Sequence, residues 1–128
     1  MTIDAVRQWL EPLIDSGTLS VGKSPDAEKC VMLYDASGES DPVLAFGGVE
    51  CTGYNVLPCK LLLRWGTNLP EAHARASTIF ETILSMGFVE IDGVKAFLQF
   101  TCQAPIPIDT DKHGRYEYVL TFKIIHER

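Results

Sequence analysis

The sequence predicts an α+β fold: a single domain over residues 1–128, with an antiparallel-rich mixed β-sheet and two helices packed on one of its faces. Three observations predict it. Apolar residues recur at helical spacing in two stretches, Ile3 to Ile14 and Ala72 to Leu84. Other stretches alternate or run apolar between Gly, Pro and Asp punctuation, most cleanly from Tyr116 to His126. Their order, α-β-β-β-α-β-β, sets two helices against a sheet built largely from sequential strands. At 128 residues, 46% of them hydrophobic and 22% charged, the chain buries about two thirds of its unfolded surface and needs no metal or disulfide staple.

Taken in order, Thr2 caps a first helix carrying Ile3, Val6, Leu10, Leu13 and Ile14. Pro12 lacks the backbone donor, so that helix ends or kinks near Leu10. Gly17 and Gly22 mark a connector, and Lys29 to Tyr34 reads as a first strand. Residues 35–42 form the most polar stretch, a hairpin loop, with Val43 to Phe46 as the returning strand. Gly47, Gly48 and Gly53 break the pattern, and Pro58 opens a third strand, Cys59 to Trp65. Thr67 or Asn68 caps the second helix, where Pro70 sits harmlessly in the first turn. Its stripe is Ala72, Ala76, Ile79, Phe80, Ile83 and Leu84, and Gly87 ends it. Asp92-Gly93 is a turn, Val94 to Cys102 a strand, and Pro105 and Pro107 begin a further loop. Tyr116, Tyr118, Leu120, Phe122 and Ile124 then share one face of the last strand. Loops 35–42, 47–57 and 104–115 are long for so small a domain, which points to contact with another molecule.

Charge narrows the function. The formal net charge is −6, and residues 1–50 hold nine acids and three bases while residues 51–128 hold eight of each. An acidic chain with pI near 4.9 repels phosphate backbones, so no direct nucleic-acid binding is expected. No apolar run approaches the ~20 residues of a membrane span, and Met1 to Asp4 lacks the start of a signal peptide. The four cysteines (Cys30, Cys51, Cys59, Cys102) form no CxxC pair and read as reduced thiols, two of them core residues on strands.

One motif imitates an enzyme. Gly17-Thr18-Leu19-Ser20-Val21-Gly22-Lys23-Ser24 fits G-x-x-x-x-G-K-[ST], and Val31 to Asp35 imitates the magnesium-holding strand. A phosphate cradle needs a strand before the loop and a helix after it, whereas here a helix precedes and a strand follows at Lys29. His73, His113 and His126 are scattered, Cys51 and Cys59 lack zinc-ligand spacing, and no G-x-S-x-G elbow occurs. Asp109 and Asp111 fit turn chemistry better than acid–base chemistry. No catalytic residue, metal or cofactor is expected.

Two segments carry a resemblance. Leu57-Pro58-Cys59-Lys60-Leu61-Leu62-Leu63-Arg64-Trp65-Gly66 runs into the capped helix Leu69 to Met86. Pro105-Ile106-Pro107-Ile108-Asp109-Thr110-Asp111-Lys112-His113-Gly114-Arg115 runs into the alternating strand. A strand ending in Arg before the central helix, then a Pro-containing loop and a D-x-x-G-R-type turn before the terminal strand, resembles the tail-terminator or minor capsid proteins of long-tailed phages. The likeness spans roughly residues 3–128. Gly17–Ser24 and the acidic 35–42 hairpin fall outside that pattern.

The resemblance implies a structural virion protein of a phage or prophage, assembled in the host cytoplasm and incorporated at the head–tail junction. Its subunits would cap the tail tube as a homo-oligomeric ring, a hexamer, binding the tube protein on one side and the head–tail connector protein on the other. By motif, Arg64, Asp111 and Arg115 are candidate assembly contacts. The plainer alternatives are a solvated strand-end charge for Arg64 and a positive φ angle for Gly114. Competing functions are another head–tail connector or adaptor, and a small bacterial ligand-binding or regulatory domain with an apolar pocket.

Overall fold

In the computed structural model, which describes residues 1–15, 17–22, 27–39 and 53–127, the chain opens with helix α1 (Ile3–Leu10) and strands β1 (Leu19–Val21), β2 (Lys29–Asp35) and β3 (Tyr54–Trp65). Helix α2 (Leu69–Leu84) follows, then β4 (Phe88–Ile91), β5 (Val94–Phe100), β6 (Ile106–Ile108) and β7 (Glu117–Glu127). The described strands form one seven-stranded sheet of order β1-β2-β3-β7-β5-β4, with β6 also paired to β7. Every pairing is antiparallel except β1 with β2. The predicted class holds.

The helices begin and end where local chemistry requires. The Thr2 hydroxyl accepts the Ala5 N–H at 3.2 Å, and α1 gives way to a 3₁₀ turn, Glu11–Leu13, at Pro12. Asn68 accepts the Glu71 N–H at 3.2 Å, and Gly87 turns the chain out of α2 at φ +60°. Ala72, Ala76, Ile79, Phe80 and Ile83 are buried as expected, but Leu84 is 56% exposed and leaves the stripe.

Register shows which sheet face the helices cover. Val31 and Leu33 pair with Leu63 and Leu61, which pair in turn with Tyr118 and Leu120. These residues form one buried cluster with Val6, Leu10 and the α2 stripe, so both helices lie on the same face. Helix α1, about 12 Å long at eight residues, touches β2 and also β4 at the far end of the sheet. A flat sheet of this order is about 24 Å wide at ~4.8 Å per step, so the sheet must curl around the helices. Trp65 ties α2 to the rim, with Arg75 and Lys29 stacked over its ring at 5.1 and 5.6 Å.

The structure corrects the sequence reading in four places. The connector after Gly17 contains a strand, β1. The third strand starts at Tyr54 rather than Cys59. Phe88–Ile91 and the proline-rich Ile106–Ile108 are strands too. Both prolines obey the ladder. Ala36 N–H donates to Pro58 O at 2.9 Å, so Pro58 turns its N and O toward the β2 side, where pairing stops at Asp35–Cys59. Thr101 N–H donates to Thr121 O at 3.0 Å, so odd-numbered residues of β7 face β5 and β6. Pro107 pairs with Tyr118 and therefore points its N away from β7, at an edge that no described strand covers. The expected strand Val43–Phe46 lies outside the described residues.

Within Gly17–Ser24, Leu19–Val21 is strand where a phosphate cradle needs a loop, and Lys23 and Ser24 lie outside the described residues. A Cβ on Gly17 would stand 2.5 Å from Lys29 O, and its φ is +68°. Gly17 serves the close approach of the connector to β2, whereas Gly22 has open space beside it and turns the chain at φ +67°.

Candidate functional site

The turn before β7 folds over the sheet face that the helices leave uncovered, at the end of β3 where Arg64 projects. Asp111 organises the turn. Its Oδ1 accepts the backbone N–H groups of His113 and Arg115, each at 2.9 Å. Its carbonyl accepts Gly114 N–H and its own N–H donates to Arg115 O, both at 3.0 Å. Gly114 sits at φ +76°, the positive angle expected of it.

Asp111 also joins two strands' worth of charge. Arg115 Nε donates to Asp111 Oδ2 at 2.7 Å, and Arg64 Nε lies 3.3 Å from the same oxygen. Arg64 Nη2 reaches Glu117 Oε2 at 3.4 Å, because Arg64 and Glu117 are direct cross-strand partners. Arg115 Nη1 donates to Ala27 O at 3.1 Å, which pins the segment before β2. The side chains of Arg64, Asp111, Arg115 and Glu117 are only 10–14% exposed. Arg64 is thus no solvated strand-end charge.

Burial opposes the charged form of Asp111, but the backbone and side-chain bonds from Arg115 and the His113 N–H outweigh it. Together they hold the carboxyl at about 2, below its ordinary 3.8. Because the folded value is depressed, the turn's stabilisation is complete above pH ~4 and is lost as pH falls through about 2. The His113 and Arg115 amide NMR shifts should therefore share an inflection near pH 2. An inflection at 3.8 or above would mean that the turn bonds are missing in solution.

The two buried thiols, Cys59 in the core and Cys30 beside Arg64, are held in their protonated form. Burial, with Asp35 adding to it, pushes the Cys59 thiol up to about 12, and burial likewise raises Cys30 beside Arg64. No group of His, Cys, Asp and Glu among the described residues is arranged to hold a metal. No described helix is long and apolar enough to cross a membrane.

A family model described as bacteriophage tail terminator protein matches residues 12–128. The chain belongs to this family. No curated protein and no solved structure matches it. A tail terminator is a structural virion protein that caps the tail tube, and its surfaces serve contact with tail and head components.

In this tail terminator the three motif-derived positions, Arg64, Asp111 and Arg115, come together in one cluster. Sequence reasoning missed their partners, Glu117, Ala27 and Cys30, of which Cys30 Sγ lies 3.9 Å from Arg64 Nη1. Glu117 was within reach of a cross-strand charge argument, but only with the β3–β7 register in hand. Lys112 and His113 are exposed at the tip of the turn, which the cluster holds out toward solvent.

Proposed function

We propose that this tail terminator closes as a ring of six copies on the last ring of the tail tube, stops its growth and presents the opposite side to the head–tail connector protein. It does so without catalysis, assembling in the host cytoplasm before it enters the virion. The observation that carries the reading is the family match over residues 12–128. The uneven charge supports it, since a ring joins two different patches of one chain. So does the fixed 111–115 turn, whose buried cluster makes Arg64, Asp111 and Arg115 positioning groups for the exposed tip.

Disrupting the gene in its parent phage and imaging the lysate by negative-stain electron microscopy tests the proposal. Filled heads beside detached tails of uncontrolled length are expected. Tails of normal length that fail to attach would make it a joining protein instead. Intact infectious particles would overturn a virion role and leave the small-ligand reading.

A further inference from the structure

The described sheet has three strands paired on one side only, and they differ in what they offer. At β6 the outward position is Pro107, which has no N–H to give. At β4 the outward positions are Phe88 and Glu90. Leu98 N–H donates to Gly87 O at 2.9 Å, so even-numbered β5 residues face β4. Ala96 and Val94 therefore bond Val89 and Ile91, and the backbone groups of Phe88 and Glu90 turn away from the sheet. At β1, Thr18 O accepts from Val31 N–H and Gly22 N–H donates to Leu33 O, so Leu19 and Val21 turn their backbone groups outward.

Phe88 adds a second sign. Phe88 is 84% exposed, and its ring rests on that of Phe97 with centroids 4.9 Å apart. A strand laid beside β4 would cover that ring and satisfy the outward donors and acceptors together.

We propose that the β4 edge of one copy pairs with the β1 edge of the next, so that the sheet continues from subunit to subunit. The two edges stand at opposite ends of the sheet order, and each turns two residues' worth of backbone groups outward. A head-to-tail contact uses both, as ring closure requires. Among the described residues no strand meets the outward groups of Leu19 and Val21, and a second copy laid on β4 would use them where a tube strand would not. The inference rests on the proposed ring.

Glu90→Pro is the test variant, because it removes an N–H that faces away from β5 and copies what Pro107 does at β6. It should melt within a few degrees of wild type, yet fail to complement the disrupted gene, with capped tails falling at least tenfold. Complementation equal to wild type would overturn edge pairing, while the wild-type gene's own rescue reports separately on the capping role. A benzophenone amino acid at position 90 identifies the occupant in assembled tails. An adduct to residues 17–22 of a second copy is expected, and an adduct to the tube or connector subunit would overturn the assignment.

Discussion

Arg64→Ala should cost about 3 kcal/mol of folding stability and disable capping even below the melting transition. The guanidinium is buried between Asp111 and Glu117, at 3.3 and 3.4 Å, with about a tenth of its side chain exposed. Removing it leaves Glu117, itself only 14% exposed, without its cation, and burial then penalises the ionised carboxylate. Asp111 keeps Arg115 and its two backbone donors, so the turn survives as a turn but loses its anchor to β3. Urea titration reads the stability change, and a melting point lower by about 10 °C is expected for a domain of this size. A loss below 1 kcal/mol would mean that the cluster is screened by water like a surface pair.

Phe122→Ala should cost about 4 kcal/mol, a large fraction of the ~5–15 kcal/mol that holds a domain together. Phe122 is 1% exposed on the strand at the centre of the sheet. Its ring packs edge-on to Phe100 at 5.7 Å, and Phe100 stacks on Phe80 of α2 at 4.3 Å. The vacated volume borders a sheet strand and a helix that cannot both move in, so the cavity stays. Calorimetry of the purified variant should show a folded protein with a much lower melting point, and a phage carrying it should be temperature-sensitive. A change under 1 kcal/mol would mean that the core repacks around the gap.

The sequence was most readable where local chemistry and pattern agreed. Asn68, Pro70 and Gly87 bound α2 from both ends, and the alternation from Tyr118 to Ile124 declared β7. The missed strands share a cause: β1, β4 and β6 have three or four residues each, too few for a period to register. They are strands because a longer neighbour offers a ladder. Pro107 argued for a loop, and only the outward direction of its N reconciles it with β6. Pro58 misled in the same way, since it looks like a strand opening and lies well inside β3. Leu84 follows Phe80 at i+4 but lies at the rim of the stripe, where it is 56% exposed beside the fully buried Ile83.

The candidate site was half legible. The Arg64, Asp111 and Arg115 positions followed from the motifs, and Asp111 as turn chemistry followed from its residue type. That one carboxylate would stand between two guanidiniums 51 positions apart depends on the β3–β7 register and on the turn folding back over the sheet. Neither is written in any local pattern.

The place of β7 has a consequence for how the molecule is made. It is the shared partner of β3, β5 and β6, and it supplies Glu117 and the core ring of Phe122. The ribosome delivers it after all of them. Until residue 127 is synthesised, β3 lacks one neighbour along its whole length and β5 has only the short β4 for company. A nascent or prematurely stopped chain is thus left without the fold, and a half-made copy has no formed surface with which to block a tail end.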